Sequence, residues 1–285
     1  MLNAEVLKQL ARYKIDHTEG FLSNYEGERK SNQKGQSQEF SDFRPYYLGD
    51  DIRLIDWNAY ARTDEYYVKV YEEEREARIT IVLDHSASMG FSESKRKLAE
   101  NLVFIFAYVG LSSGDSVRLV TRSEKGQVIA SPFYRGLHQY AFFQKTLDVL
   151  KWQGTDGFEF LTKEVQFTKG VTIWISDFLY DHMSEIHGQL KYKKQHVLGI
   201  QTLTEEILSP TYEGMLDLYD CESQEKIEVH CTPSALKAYH ESLASHLEHV
   251  EHLFSKYGDR YLLLNVEMHD AAQVLQKLLT HSILR

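Results

Sequence analysis

Residues 79–88 read Ile-Thr-Ile-Val-Leu-Asp-His-Ser-Ala-Ser. The first five are apolar or β-branched, which is typical of a buried β-strand. Polar residues follow from Asp84, and Met89-Gly90 end the run before a long apolar helix predicted from Lys95 to Leu111. A buried strand that leads through a polar turn into an apolar helix is the repeating unit of an α/β fold.

The same alternation of strands and helices continues along the sequence. Strands are predicted at residues 66–71, 116–121, 127–131, 171–176, 196–202 and 260–266, with a hairpin at 212–219 and 226–230. Helices are predicted at residues 3–14, 137–150, 159–167, 182–192, 234–256 and 271–284. This order predicts a doubly wound α/β fold, with a mostly parallel sheet flanked by helices.

The composition limits the classes of function. The chain of 285 residues contains 32 basic and 42 acidic residues, so that its formal net charge is −10. Sequence-independent binding to nucleic acids depends on basic surfaces, which an acidic chain does not favour. We therefore expect no nucleic acid among the partners, and expect the acidic surface to suit cations or a basic protein.

Three features predict a cytoplasmic protein without an integral membrane segment. The longest apolar run, Leu102–Leu111, is too short to span a bilayer. Residues 1–14 lack the apolar core of a signal peptide. The two cysteines, Cys221 and Cys231, are expected to remain thiols, as is usual in the cytosol.

Polar side chains follow two of the predicted strands. Asp84, Ser86 and Ser88 alternate directly after the first buried strand, and Asp177 follows a later one. Thr155 lies between them in a Gly-Thr-Asp-Gly turn. Because ligands bind beyond the carboxyl ends of parallel strands, these oxygen-bearing side chains predict a site for a hard divalent cation. Mg²⁺ suits the site best, with Mn²⁺ and Ca²⁺ as alternatives.

Helix capping is the simplest alternative explanation of these residues. Serine and aspartate often follow a strand as the N-cap of the next helix, so that Ser88 or Ser92 would explain part of the pattern. Thr155 could likewise cap the helix that follows it, and Asp156 is a second candidate for its role at the metal. At the level of sequence both explanations stay open.

A metal-dependent phosphatase of the haloacid-dehalogenase type is the alternative function. Such an enzyme would use Asp84 as its nucleophile, with Asp177 and Asp181 near the metal. Its mechanism requires a second carboxylate two residues beyond the nucleophile as general acid, and position 86 holds a serine. The sequence therefore favours a binding protein over an enzyme, and no catalytic residue is assigned.

The set Asp84, Ser86, Ser88, Thr155 and Asp177 resembles the metal-ion-dependent adhesion site (MIDAS) of von Willebrand factor type A domains. That motif is Asp-x-Ser-x-Ser, followed by a distant threonine and by an aspartate at a later strand end. The resemblance implies that the aspartates and serines bind the cation directly or through water, and that Thr155 is an exchangeable ligand. It also implies that a carboxylate of a partner protein fills the open coordination position.

A second motif lies upstream, where residues 43–63 read FRPYYLGDDIRLIDWNAYART. This block resembles the signature of domain-of-unknown-function family 58, and the resemblance extends over residues 20–285. It implies an N-terminal helix and β extension over residues 1–75, followed by a von Willebrand type A-like domain over residues 76–285. Members of that family are associated with MoxR-type AAA ATPases, which implies an adaptor or co-chaperone that binds such an ATPase or a client protein.

The density of aromatic and charged residues in the upstream block indicates a packed, hydrogen-bonded layer. Arg44, Arg53 and Arg62 are interleaved with several aspartates. Because a guanidinium group binds a carboxylate in a bidentate manner, we expect these arginines to form ion pairs within the block.

Overall fold

The computed structural model describes residues 4–16, 38–73, 76–123, 126–148, 150, 152, 158–221, 225–267 and 271–285. Its strands are β1 Gln38–Pro45, β2 Tyr67–Glu73, β3 Arg78–Leu83, β4 Ser116–Arg122, β5 Val128–Ala130, β6 Tyr134–Arg135, β7 Gly170–Ser176, β8 Gln195–Leu203, β9 Gly214–Tyr219, β10 Lys226–Cys231 and β11 Arg260–Asn265. Its helices are α1 Ala4–Leu10, α2 Trp57–Thr63, α3 Ala87–Gly90, α4 Glu93–Ser112, α5 Tyr140–Asp148, α6 Glu159–Lys163, α7 Met183–Tyr192, α8 Glu205–Leu208, α9 Pro233–Lys256 and α10 Ala271–Thr280. None of these helices combines the length and the apolar character needed to cross a membrane.

The chain divides into two compact units. The smaller is Gly27–Glu76, and the larger combines Met1–Glu26 with Ala77–Arg285. In the larger unit, the described residues form a sheet of seven strands in the order β11-β8-β7-β3-β4-β5, with β6 also paired to β4. The five strands from β11 to β4 pair in parallel, whereas β5 and β6 are antiparallel to β4. The predicted α/β class with a mostly parallel sheet is confirmed.

Helices cover both faces of this sheet. Ile79, Ile81 and Leu83 of β3 belong to one hydrophobic cluster, which includes most of helix α4. Val82, on the opposite face of β3, belongs to a second cluster with Trp174 of β7 and residues of α6, α7 and α9. Because successive residues of a strand point to opposite faces, a strand covered on both sides must be apolar throughout. This requirement explains the apolar residues on both faces of β3, where the one polar side chain among the buried residues, that of Thr80, accepts a hydrogen bond from Arg118 Nε.

The N-terminal helix belongs to the larger unit, whereas the sequence division at residue 75 grouped it with the β extension. Val6 and Leu10 of α1 are buried in the same cluster as α4. Ile15, which follows the helix, lies in that core and forms an antiparallel bridge with Leu284. The amphipathic spacing predicts the helix, but the surface that it covers depends on a contact between distant parts of the chain.

Four predicted helices are shorter in the structure: α1 ends at Leu10 and α10 ends at Thr280, and α5 and α6 are shorter as well. The segment Leu137–Gln139 forms a 3₁₀ turn, and α5 begins only at Tyr140. Helix α6 ends at Lys163, before the predicted end at residue 167. Beyond the helix, Val165 is buried in the second hydrophobic cluster and Phe167 packs against it.

The smaller unit is an antiparallel pair of strands, β1 and β2, joined by a segment that contains a 3₁₀ turn and helix α2. Asp56 caps α2, because its Oδ1 accepts hydrogen bonds from the backbone N–H groups of Asn58 and Ala59. Ile55, just before the cap, is buried and forms a bridge with Val68 of β2. The cap and the bridge together hold the helical segment against the strand pair.

Among the described side chains of this unit, two of the three expected arginine pairs are present. Arg44 binds Asp50 through two hydrogen bonds of 2.6 and 2.7 Å. Arg53 pairs with Asp51 at 2.7 Å, whereas Arg62 donates to a backbone carbonyl of its own helix. Because both pairs are partly exposed, we expect each to contribute little to stability.

Gly199 of β8 allows helix α9 to pack closely on the sheet. A Cβ atom at this position would lie 2.3 Å from the ring of the fully buried Phe254. We expect Gly199→Ala to lower the free energy of unfolding by about 1–3 kcal/mol, because an overpacked core must shift a side chain or the backbone. Urea denaturation followed by circular dichroism measures this change.

Gly188→Ala in helix α7 is the matched control. The nearest atom to a Cβ there is the hydroxyl oxygen of Tyr257, at 3.9 Å. Within a helix alanine is favoured over glycine by up to about 1 kcal/mol, so this variant should be as stable as the wild type or more stable. Equal stabilities of the two variants would show that the contact between β8 and α9 tolerates a methyl group.

Candidate metal centre

The polar residues predicted from the sequence lie at the carboxyl ends of two adjacent parallel strands. Asp84 follows β3, Asp177 follows β7, and the backbone N–H of Asp84 donates to the carbonyl of Ile175 at 2.9 Å. From β3 the chain crosses to β4 on one side of the sheet, whereas β7, β8 and β11 follow on the other. The strand order reverses at this point, which is where open α/β sheets form binding crevices.

Asp84 is buried, and each of its carboxylate oxygens accepts a hydrogen bond. Oδ1 accepts from the backbone N–H of Ser86 at 3.0 Å, and Oδ2 accepts from the hydroxyl of Ser176 at 2.7 Å. The hydroxyl of Ser176 in turn accepts from the backbone N–H of Phe178 at 3.0 Å. Ser176 therefore joins the two strand ends. Its place at the end of a buried strand was visible in the sequence, but nothing there marked its hydroxyl as part of the site.

Ser86 and Ser88 connect the same strand ends through their hydroxyl groups. Their Oγ atoms lie 2.9 Å apart, and Ser88 Oγ donates to Asp177 Oδ2 at 2.9 Å. Helix α4 is capped instead by Ser92, whose Oγ accepts from the backbone N–H of Lys95 at 3.1 Å. Ser86 precedes helix α3 but makes no capping hydrogen bond with its side chain. The structure thus assigns capping to Ser92 and leaves the other two hydroxyls in the cluster.

Hydrogen bonds from its own loop and from β8 hold Asp177 in place. Oδ1 accepts from the backbone N–H of Leu179 at 3.3 Å, and the backbone carbonyl accepts from Nε2 of the buried Gln201 at 2.5 Å. The next residue, Phe178, has a φ of 51°, and its carbonyl accepts from His246 Nε2 of α9 at 2.8 Å. A positive φ is rare for a bulky residue, so these contacts must hold the loop in its conformation.

Lys95 completes the cluster, although the sequence patterns did not identify it. Its side chain is 3% exposed, and its ammonium donates to Asp177 Oδ2 at 2.8 Å and to the carbonyl of Ser88 at 3.2 Å. One signal was available, since Lys95 precedes Leu98 and Leu102 by three and seven residues. That spacing places it on the buried face of α4.

His85 lies between the site residues and is also buried. The hydroxyl of Thr121 donates to the carbonyl of Leu83 at 2.7 Å and lies 3.2 Å from His85 Nδ1, which must therefore be the donor of that contact. Burial lowers the pKa of His85. The neutral imidazole thus adds no positive charge beside Asp84 near neutral pH.

Thr155, the fourth member of the predicted site, lies outside the described residues, as does Asp156. Its role as an exchangeable ligand stays a prediction. The structure brings together the other four predicted residues and adds two that were not predicted. The described cluster consists of Asp84, Ser86, Ser88, Lys95, Ser176 and Asp177.

The oxygens of this cluster fit a small, hard divalent cation. Mg²⁺ binds oxygen ligands at about 2.0–2.1 Å in octahedral geometry, so that neighbouring ligands lie about 3 Å apart. The hydrogen bonds of 2.9 Å from Ser88 Oγ to Ser86 Oγ and to Asp177 Oδ2 hold these oxygens at a separation that is compatible with that spacing. The part of the chain that the structure describes holds no metal-binding group of three or more His, Cys, Asp or Glu. A site here would therefore depend on serine hydroxyls as well as carboxylates.

The electrostatics of the cluster disfavour the charged form of Asp84. Burial, followed by the negative charge of Asp177, raises the pKa of Asp84 to about 6, against the opposing effect of hydrogen bonds from Ser176 and Ser86. A nearby positive charge favours an ionised carboxylate. A divalent cation in the site would therefore stabilise Asp84 in its charged form.

Comparison with known families agrees with the upstream signature. A family model described as "Protein of unknown function DUF58" matches residues 42–249. The chain belongs to this family. The match to DUF58 includes part of the smaller unit and both strand ends that carry Asp84 and Asp177. None of the curated proteins matches the chain.

Two solved structures show low similarity to this DUF58 chain. The conserved hypothetical protein BatB from Bacteroides thetaiotaomicron is 12% identical, with a TM-score of 0.39 over 72% of this chain and 98% of BatB. An aerotolerance-related membrane protein from Bacteroides fragilis NCTC 9343, with multiple mutations to serines, is 14% identical, with a TM-score of 0.36 over 72% of this chain and 99% of that protein. Scores this low support no conclusion about function.

The raised pKa of Asp84 predicts how stability depends on pH without metal. Its pKa of about 6 in the folded state exceeds the ordinary value of 3.8 that applies to the unfolded chain. Between about pH 4 and pH 6, Asp84 is therefore protonated in the folded protein and ionised in the unfolded chain. The contribution of this group to stability is present below about pH 4 and is lost as the pH rises through about 6. In EDTA, the stability of Asp84→Asn relative to wild type should therefore rise by up to about 3 kcal/mol between about pH 4 and pH 8.

Urea denaturation at a series of pH values measures this difference. Asp217→Asn is the control, because Asp217 lies on the exposed β9–β10 hairpin. The stability of this variant should follow the wild-type curve at every pH. Parallel curves for the wild type and Asp84→Asn would contradict the expected cost of ionising the buried carboxyl group.

Proposed function

We propose that this DUF58 chain is a metal-dependent protein-binding module with a von Willebrand type A-like fold. In this proposal Asp84, Ser86, Ser88, Thr155 and Asp177 hold Mg²⁺, or alternatively Mn²⁺ or Ca²⁺, in a MIDAS-like site that takes a carboxylate of the partner. The partner is a MoxR-type AAA ATPase or a client protein, for which the chain acts as adaptor or co-chaperone. The main support is that Asp84, Ser86, Ser88 and Asp177, from two neighbouring strand ends, form one hydrogen-bonded cluster of the oxygen atoms that Mg²⁺ prefers.

Exposed apolar residues beside the cluster support a protein-binding role. Phe91 follows the turn that carries Ser88 and is 69% exposed, and Leu179 follows Asp177 and is 43% exposed. Protein interfaces combine apolar anchors with a few polar contacts that fix orientation. These two side chains would provide apolar contacts to a partner whose carboxylate enters the site.

The geometry favours binding over phosphoryl transfer. Asp84 is 4% exposed, and both of its carboxylate oxygens already accept hydrogen bonds. Position 86, where a phosphatase of the haloacid-dehalogenase type needs its general acid, holds a serine whose hydroxyl contacts Ser88. The chain therefore has a buried, immobilised aspartate where that mechanism needs an accessible nucleophile.

Binding to the purified MoxR-type ATPase of the same organism tests the proposal. Isothermal titration calorimetry in Mg²⁺ should detect a complex whose affinity falls at least about tenfold in EDTA. Ser88→Ala should weaken the complex in Mg²⁺ to a similar extent, because it removes the hydroxyl that contacts both Ser86 and Asp177. Ser112→Ala is the matched control, since Ser112 lies at the far end of α4 and donates to the carbonyl of Val109.

Thermal unfolding tests the metal site without a partner. A ligand that binds only the folded state raises its melting temperature, so Mg²⁺ should stabilise the wild type and leave Asp84→Ala unchanged. A wild type with equal melting temperatures in Mg²⁺ and EDTA would count against the site. Turnover of phosphomonoesters that is lost in Asp84→Ala would support the phosphatase alternative instead.

A further inference from the structure

Lys95 occupies a position that disfavours a lysine. Its side chain is 3% exposed, and it lies in the first turn of helix α4, which begins at Glu93. Lysine is almost never fully buried without a partner, and a cation near a helix N-terminus opposes the helix dipole. Among the described contacts of the ammonium, the carboxylate of Asp177 and the carbonyl of Ser88 offset these costs.

The ammonium of Lys95 and a divalent cation would use the same oxygen atom. Asp177 Oδ2 accepts from Lys95 Nζ at 2.8 Å and from Ser88 Oγ at 2.9 Å, so it belongs both to the ion pair and to the predicted ligand set. Two positive charges close to one buried carboxylate repel each other strongly. Occupation of the site by a metal therefore opposes the ion pair between Lys95 and Asp177.

We propose that Lys95 is a built-in counter-ion of Asp177, which a divalent cation must displace, so that this lysine sets the metal affinity of the site. This inference rests on the proposed function, because it concerns the same site. Without metal, the lysine neutralises Asp177 and keeps the crevice folded. The site then binds a metal weakly by itself, and tightly when a partner carboxylate adds the negative charge that Lys95 offsets.

Lys95→Met tests the inference, because methionine keeps an unbranched side chain and removes the charge. Its affinity for Mg²⁺, measured by isothermal titration calorimetry, should be at least about tenfold tighter than that of the wild type. In EDTA the variant should have a lower melting temperature than the wild type, because the charge of Asp177 is left buried without the ammonium of Lys95. Addition of Mg²⁺ should raise the melting temperature of the variant and close this gap. Lys95→Arg keeps the positive charge, so its affinity for Mg²⁺ should stay close to that of the wild type.

Lys97→Met is the matched control for the loss of a lysine from α4. Lys97 is 61% exposed and pairs with Glu93, so its removal should leave the affinity for Mg²⁺ unchanged. A second readout uses the wild type and does not depend on the stability of a variant. In a protein with ¹³Cε-labelled lysine, Mg²⁺ should shift the NMR resonance of Lys95 and leave that of Lys97 in place.

The possible outcomes separate this inference from the proposed function. In the first outcome the wild type binds Mg²⁺, Lys95→Met binds it no more tightly, and the Lys95 resonance stays in place. The counter-ion role of Lys95 is then overturned, and the metal site stands. In the second outcome Lys95→Met binds Mg²⁺ or requires Mg²⁺ to fold, and the wild type does not bind it. The ammonium of Lys95 then takes the place of the metal in the wild type. The inference about Lys95 stands, and the metal dependence of the proposed function fails. If neither protein binds Mg²⁺, both are overturned.

Discussion

The hydrogen bond from Ser176 to Asp84 joins the two strand ends on which the crevice depends. β3 and β7 are neighbours in the sheet, but the chain continues from β3 to β4 on one side and from β7 to β8 on the other. The segments that follow the two strands therefore lead into different helices. Ser176 Oγ binds Asp84 Oδ2 at 2.7 Å and orders Phe178 through its backbone N–H, and Ser88 then reaches Asp177 from the other strand end. A buried polar network stabilises a structure when its members are satisfied, and each of these groups has a partner.

The same network holds charged groups in positions that cost free energy. Asp84 has a pKa raised to about 6 by burial and by the charge of Asp177, and Lys95 is held in the first turn of a helix. Phe178 adds a left-handed backbone conformation beside them. Costs of this kind persist only where the surrounding structure determines the conformation, and they concentrate at functional sites. Here that support comes from the cores on both faces of the sheet.

The sequence predicts the structure well where local pattern and long-range contacts lead to the same result. The strand expected over residues 79–83 is present as β3, Arg78–Leu83, because a strand covered on both faces is rich in apolar and β-branched residues. Parallel pairing predicts that Asp84 and Asp177 lie at the same edge of the sheet, and the structure adds that β3 and β7 are direct neighbours. Lys95 could not be distinguished in this way, because its partner lies 82 residues away in the chain. The surface that helix α1 covers could not be predicted for the same reason, as its contacts lie in distant segments.

Serine hydroxyls are uncharged ligands, and this limits how a metal site built on them can work. One carboxylate of the cluster is costly to ionise, and the other is already paired with Lys95, so a cation finds less negative charge here than two exposed aspartates would offer. Affinity must then come from preorganisation, and the hydroxyls of Ser86 and Ser88 stand at ligand spacing within a fixed turn. In the function that we propose, the partner supplies the missing negative charge. Metal and partner would then bind as one event, and withdrawal of either would release the other.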